Sequence, residues 1–477
     1  MRDPWLWSSM LALSIMGQDL PGVHWNTAEK EKTKMLWVRG TEAQALTDRA
    51  QVADLLDRCQ AAGVNALALE VKTASGQLLF DSRFGHPSFD LLQAATEEAS
   101  KRRVKVHAVL QLFVEGSKKE RTGPAFDHPR WASIVFDQAD YATMNGREWG
   151  VCRLGEERPG MALIPPSSKS YGGKASTLAA VSENRVSALL DNPQGVELPV
   201  PQNGYLLVGT PETSDVMRGL RLGDPVELRH RKQVVSELQY NAGAFVHVNP
   251  VLPEIQERLL SMLAELAKYP LDGIVVDQSG FDSLKMDFSD TNRRAFEESL
   301  SKGNKDGKEI AHWPTDVFDY APSGDRIPGP YYKSWLEWRA RSLKDFYEQA
   351  RVRVKQVNPK LALSLRVRTG YPDSIENGLN WARAGYQPSF DWASPRFSET
   401  GAAGCFDSLV LPSDVLSPEV RAMVGKAPLL AMVPEEKSEK IEKAEKQKAL
   451  SFKEAEGVVV VYRNNLWESL GDSLLLE

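Results

Sequence analysis

A carboxylate at the end of a short apolar run is the clearest chemical feature of this chain. The segment YPLDGIVVDQSGFD, residues 269–282, opens on an aspartate-glycine turn and continues through an apolar stretch at 273–276. Asp277 then falls where a strand must end, with Asp282 in the loop beyond. An uninterrupted apolar run of this kind reads as a strand covered on both faces, as in a parallel sheet. Polar side chains at the carboxyl ends of such strands are where α/β folds house their chemistry. A carboxylate there loses solvation, so Asp277 must be hydrogen-bonded, paired or kept for function. The plainer alternative is an aspartate capping the next turn.

Other strand ends carry comparable groups: Arg39, Glu70 with Lys72, Gln111 with Glu115, Arg366 with Arg368, then Asp414, Glu435, Glu436 and Tyr462. His107, Val109 and Gln111 alternate along one strand and are expected to share an inward face, reaching the cleft. A core histidine bonded to a neighbour is the competing reading of His107. Several carboxylates around one mouth suit glycosidic bond cleavage. That reaction needs one carboxylate facing an oxocarbenium-like centre and one protonated acid to release the leaving oxygen. Trp313, Tyr331, Tyr332, Tyr371, Trp381 and Trp392 offer flat platforms for sugar rings, although aromatic residues are more often core. No phosphate-cradling glycine loop, nucleophile elbow or dinucleotide fingerprint occurs, which argues against kinases, serine hydrolases and dehydrogenases.

Strands are expected at 35–38, 65–71, 104–113, 273–276, 361–365, 406–411, 428–433 and 457–462. Helices at 49–62, 89–102, 254–269 and 335–356 separate them, the first capped by Asp48 and stopped by Gly63. A lysine- and glutamate-rich helix at 437–452 reads as a solvated face. This alternation predicts an α/β fold, a (β/α)8 TIM barrel. Such a barrel needs only about 250 residues. The surplus is placed in a small β-rich insertion after strand 3, residues 150–240, and in a polar excursion at 288–332. Both would wall a cleft at the strand ends.

The 477 residues are 42% hydrophobic and 26% charged, an ordinary globular composition with a net charge of −6. That balance argues against nucleic acid as a partner. No apolar stretch approaches the roughly 18 residues of a membrane span. Residues 5–16, WLWSSMLALSIM, resemble the core of a secretory signal, so residues 1–30 are read as a leader and 31–477 as the barrel. Asp3 and the lack of an A-x-A cleavage site leave a short buried amphipathic helix as the alternative. Three scattered cysteines and seven histidines suggest neither a disulfide framework nor a metal site, and no cofactor is expected.

Seven further segments carry a family resemblance: VKTASGQLLF at Val71, KVHAVLQLFVEG at Lys105, AFVHVNPVLPEIQE at Ala244, LDGIVVDQSGFDSLKMDFSD at Leu271, GPYYKSWLEWRA at Gly329, GLNWARAGYQPSFDWASPRFSETG at Gly378 and CFDSLVLP at Cys405. In order and spacing the chain resembles bacterial glycosyl-hydrolase-like proteins with an α-amylase-type barrel, the family-ten-like glycosyl hydrolases. The resemblance implies a secreted or periplasmic carbohydrate-active enzyme with Asp277 as nucleophile on the fourth strand. It places Glu70, Lys72, His107 and Glu115 around the pocket, and it makes residues 380–398 a long loop after the fifth strand. Related proteins typically show D-R-x-R-Y-D where this chain has Asp277, Gln278, Ser279, Gly280, Phe281 and Asp282. Two positive charges and a phenol are missing, and Arg366 and Arg368 are the candidates to replace them.

The expectation is therefore a retaining-type glycoside hydrolase acting on a poly- or oligosaccharide. Asp277 is the nucleophile or charge stabiliser, Glu115 the proton donor and Asp282 its reserve. Glu70, Lys72, His107, Gln111, Asn249, Arg366, Tyr371, Asn380 and Trp381 are assigned to substrate binding. The alternative is an inactive barrel that holds a glycan or cell-wall component. Oligomeric state is left open.

Overall fold

The computed structural model describes residues 32–153, 161–164, 168–173, 175–192, 194–209, 213–240, 243–301, 310–321, 324–433 and 455–461. The leader at 1–30, Glu435, Glu436, Tyr462 and the charged helix expected at 437–452 lie outside these residues.

Eight parallel strands close into a barrel in chain order: β1 Thr33–Val38, β2 Ala66–Lys72, β3 Lys105–Gln111, β4 Gly273–Asp277, β5 Ala362–Arg366, β6 Ser408–Pro412, β7 Leu429–Met432 and β8 Gly457–Val461. β8 returns to pair with β1, so no edge remains. The fold is the (β/α)8 barrel that the alternation predicts, with each strand within a few residues of its expected place. Side-chain alternation sorts each strand into an inward and an outward set. Trp37, Ala68, Val109, Val275 and Val410 fill the interior. Small Ala66 and Ala68 stand beside large Met35 and Trp37, a fit that the register of β1 on β2 enforces.

Outside the barrel, α1 Arg49–Ala61 is capped by Asp48, whose side chain accepts from the Gln51 N–H. α2 Leu91–Arg102 is capped by Asp90 in the same way, and α3 Pro253–Leu266 precedes β4. The long α5, Tyr332–Val357, follows α4, Asp290–Ser301. α5 buries Trp335, Leu336, Leu343, Phe346, Tyr347 and Ala350, whose three- and four-residue spacing forms one face. Arg339 lies on that face too. It stacks over the Phe281 ring at 4.1 Å and donates to the carbonyls of Ser283 and Leu284 at 2.7 and 3.2 Å. Burial pushes its guanidinium down to about 9 against the charge of Asp287, and its hydrogen bonds and the stacked ring help make the site tolerable.

The insertion between β3 and β4 forms a seven-stranded sheet running from Ile134–Met144 to Val226–Ser236. It begins well before residue 150, because Ile134–Met144 is one long strand paired along its length with Val226–Ser236. Val226 N–H donates to the Asn184 carbonyl at 2.8 Å, so the two outer strands of the sheet touch at one end. Ala142, Met144, Val186, Leu207 and Val226 belong to a hydrophobic cluster of its own. The excursion at 288–332 supplies α4 and a small hairpin, Phe318–Tyr320 with Arg326–Pro328.

The aspartate-glycine turn that opens β4 has a packing explanation. Asp272 accepts from the Val106 N–H at 2.9 Å, locking β4 onto β3. Gly273 pairs with His107 across the ladder, and a Cβ there would collide with the imidazole and come within 3.2 Å of the Ala362 carbonyl. Gly273→Ala should destabilise the barrel by about 1–3 kcal/mol through overpacking, measured by chemical denaturation. An unchanged midpoint would contradict the packing shown for the barrel floor.

Candidate active site

Asp277 ends β4 pointing inward at the mouth of the barrel, level with Gln111 of β3. It is 0% exposed, and both carboxylate oxygens are occupied. Arg366 of β5 donates to Oδ2 at 2.8 Å. Arg368, just past that strand, reaches Oδ1 at 2.9 Å and Oδ2 at 2.8 Å, a two-point clamp. The Gln278 N–H adds a contact to Oδ1 at 2.8 Å from a left-handed backbone, φ 46°. Burial alone would raise the pKa of this carboxyl. The two guanidinium groups outweigh it and hold Asp277 well below the ordinary carboxylate range. Arg366 and Arg368, the two arginines singled out in the sequence, are thus the groups that hold this carboxylate.

Glu70 ends the inward row of β2 and is 4% exposed. It accepts from Trp37 Nε1 at 2.9 Å, from the Gly40 N–H at 2.7 Å and from Gln111 Nε2 at 3.0 Å. Burial first and the charge of Asp277 second push its pKa upward, against those hydrogen bonds and the attraction of Arg366. Arg366 lies over the Trp37 ring at 4.8 Å, so one guanidinium bridges the surroundings of both carboxyls. The barrel mouth therefore holds two acids driven in opposite directions. Trp37 and Gly40 are the members that sequence reasoning missed, and no motif marks them. Only the inward phase of Met35 and Trp37 along β1 hints at the first.

Asp282 sits at the rim with a 46% exposed side chain. It lies 3.2 Å from His247 Nε2, and its charge helps raise the pKa of Arg368. The remaining candidates lie apart from this cluster. Glu115 is buried against Lys72 Nζ at 3.5 Å and Arg258 Nε at 3.4 Å. Arg258 is itself packed over the rings of Phe84 and Trp131, so the acid is sealed in a structural ion pair and does not face the cleft. Lys72 is fully buried, its Nζ donating to the carbonyls of Gln111 and Val114 at 2.7 and 2.6 Å. His107 points inward as expected, but near the amino end of β3 on the barrel floor. Its surroundings desolvate it to a pKa of about 4, leaving a neutral ring remote from the mouth.

Asn249 is spent on structure: it donates to Asn292 Oδ1 at 2.9 Å and accepts from the Val251 N–H at 2.9 Å. Tyr371, Asn380 and Trp381 are buried, with the Tyr371 hydroxyl donating to Asn380 Oδ1 at 2.8 Å and its ring edge-on to Trp381. They form a core beneath the long loop after β5 rather than an open platform, because a polar-rimmed aromatic satisfies its hydroxyl internally as readily as on a sugar. Of the predicted set, the structure gathers Asp277, Glu70, Gln111 and Arg366, with Asp282 at the rim. Among the described residues, no group of three His, Cys, Asp or Glu side chains forms a metal-holding cluster. No described helix is long and apolar enough to cross a membrane.

Residues 210–387 match the family described as glycosyl hydrolase-like 10. The match takes in Asp277, Asp282, Arg366 and Arg368 but stops short of Glu70 and Gln111. A stretch of 144 residues, 29% of the chain, is 34% identical to an S-layer-related protein of Niallia circulans, and it spans only 9% of that protein. Among solved structures, α-L-fucosidase isoenzyme 2 of Paenibacillus thiaminolyticus aligns over 93% of this chain and 49% of its own, at 11% identity and a TM-score of 0.46. The catalytic domain of a Paenibacillus polymyxa β-amylase aligns over 91% and 92%, at 9% identity and a TM-score of 0.46.

Proposed function

We propose that this protein is a glycoside hydrolase whose working carboxyls are Asp277 and Glu70. The observation that carries the reading is their opposed ionisation at the carboxyl-terminal mouth of the barrel, one held down by two arginines and the other raised by burial beside it. A pair of acids separated in this way is what glycosidic cleavage requires. Asp277, always ionised, meets the positive charge that develops at the anomeric carbon. Glu70 supplies the proton to the departing oxygen, and water completes the hydrolysis. Arg368, 42% exposed, is the side chain that substrate must displace to reach Asp277. The family match over the Asp277 loop and the β5 arginines supports the same class of reaction. The substrate is a carbohydrate, and export from the cytoplasm is part of the proposal through the signal-like residues 5–16.

The assignment of Glu70 is tested by the leaving group. Turnover should fall as pH rises through the elevated pKa of Glu70, and Glu70→Gln should remove that limb of the profile. A nitrophenyl glycoside, whose leaving oxygen needs little protonation, should recover much of the rate that a natural glycan loses. Equal losses on both substrates would refute Glu70 as the donor and return the role to Asp282.

A second reading, a barrel that binds glycans without cleaving them, draws on one feature. The oxygens of Asp277 are fully occupied by Arg366, Arg368 and the Gln278 N–H. If that clamp never opens, oligosaccharides bind but no product appears.

A further inference from the structure

The excursion at 288–332 and the inserted sheet enclose something beyond the carboxylate cluster. A cavity of about 330 Å³ lies between them and the loops after β4 and β5. Asp137 and Asp140 of the inserted sheet form one wall, Ser283 and Lys285 of the Asp277 loop a second, and Arg326 with Glu376 the rim. Its volume falls at the small end of the roughly 300–1,000 Å³ usual for ligand pockets.

We propose that this chamber is a carbohydrate subsite, holding an uncharged, hydroxyl-rich stretch of the glycan whose bond is cut at Asp277. It rests on the glycosidase reading above. Continuity with the active site comes from the chain itself. The loop that begins at Gln278, on Asp277, passes Asp282 at the rim and then gives Ser283 and Lys285 to the chamber. The helix α6, Tyr371–Glu376, follows Arg366 and Arg368 and ends at the chamber with Glu376. The two segments that carry Asp277 and its arginines therefore also contribute to the cavity. Arg339 fixes the carbonyls of Ser283 and Leu284, so the shared wall is preformed.

The chemistry of the lining selects the ligand class. Asp137 is 2.8 Å from Lys285 Nζ, Asp140 is 2.8 Å from His230 Nδ1, and Arg326 forms a two-point pair with Glu376 at 2.8 and 3.0 Å. Lys285 offsets Asp137 and Arg326 offsets Glu376, so Asp140, hydrogen-bonded to a ring nitrogen, is the one lining charge without a permanent counter-charge and the net field is too weak to reward an ionic ligand. What it offers instead is a set of strong donors beside strong acceptors. Sugar hydroxyls, which donate and accept at once, match that alternation. The rim pair Arg326–Glu376 is exposed, where such pairs contribute little to stability and open readily to a competing ligand.

The test uses the full chain and short and long members of the cello-, xylo-, chito- and galacto-oligosaccharides. Arg326→Ala/Glu376→Ala removes both rim partners together and leaves no unpaired charge, and Asp140→Asn probes the inner wall independently. Thermal melting confirms that each variant folds. For the series that is cleaved, KM of long substrates should rise about tenfold more than that of short ones, the loss of one or two hydrogen bonds to charged groups. A penalty independent of chain length in both variants overturns the subsite while leaving the glycosidase reading intact. Calorimetric binding to Asp277→Asn, with and without the rim substitutions, separates the two claims. If long oligosaccharides bind Asp277→Asn but bind the triple variant about tenfold more weakly, while the unsubstituted protein shows no turnover, the subsite stands and the hydrolase falls. No binding to any member of the panel overturns the subsite.

Discussion

Asp277→Asn should reduce glycan turnover by roughly three orders of magnitude or more, with oligosaccharide binding retained. The substitution keeps the shape of the side chain but removes the charge that Arg366 and Arg368 are arranged to hold. An amide nitrogen would also face a guanidinium where an oxygen now accepts. The carboxylate is proposed to act only as positive charge appears on the sugar, so its removal weakens the transition state far more than the ground state. The loss should therefore fall on kcat and leave KM nearly unchanged, read by reducing-end release with product anomers followed by NMR. Those anomers also report whether configuration is retained or inverted. A variant as active as the parent would end the case for this carboxylate.

The same substitution has a signature in stability. The folded pKa of Asp277 lies below its ordinary value of 3.8. A carboxyl depressed in this way stabilises the fold above the unfolded pKa, and that contribution is lost as pH falls toward the folded one. Between neutral pH and pH 4 the parent should be the more stable form. Below pH 4 the difference should shrink, because the parent takes up the proton that the amide never binds. A gap between the two melting curves that does not narrow in acid would contradict the ion-pair geometry.

Why the barrel was legible and half of the site was not follows from what each depends on. Strands buried on both faces must be continuously apolar, so GIVV in β4 and GVVVV in β8 declare themselves without any knowledge of their neighbours. The inward phase of a strand is also local, which is why His107, Val109 and Gln111 could be placed on one face. Depth along the barrel is not local. His107 and Gln111 share a face, yet one lies on the floor beside Gly273 and the other at the mouth beside Asp277. The register shift between Glu70 and Lys72 is equally silent in sequence. Without it Lys72 would follow Glu70 into the mouth; with it, Lys72 turns toward Glu115. Polar aromatics misled for a different reason: Tyr371 meets its hydrogen-bonding need on Asn380, so its exposure cannot be read from its type. Short strands with turns announce the inserted sheet, but its first strand, Ile134–Met144, has its partner some ninety positions later, and no local pattern joins it to them.

Lys72 illustrates how a residue can serve the site from behind it. Lys72→Met should destabilise the protein by about 3–5 kcal/mol, the range for breaking a buried ion pair from one side. The ammonium lies where burial drives its pKa down and the neighbouring Glu115 opposes that shift. Its removal leaves Glu115 with Arg258 alone and strips a donor from the carbonyls of Gln111 and Val114. Lys72→Met/Glu115→Leu/Arg258→Met, which removes all three charges of the buried cluster together, should recover much of the loss, since apolar side chains of similar volume replace a buried charge cluster at little cost. Chemical denaturation of the two variants measures both terms, and a single variant within about 1 kcal/mol of the parent would disprove the pairing. The consequence extends to the chemistry. Gln111, gripped at its carbonyl by Lys72, uses its side chain to hold Glu70 Oε2 at 3.0 Å. Loosening the first contact frees the second, and a Glu70 with one hydrogen bond fewer to its charged form should titrate still higher. Any turnover remaining in Lys72→Met should therefore persist to higher pH than in the parent, a shift that lost stability alone would not produce.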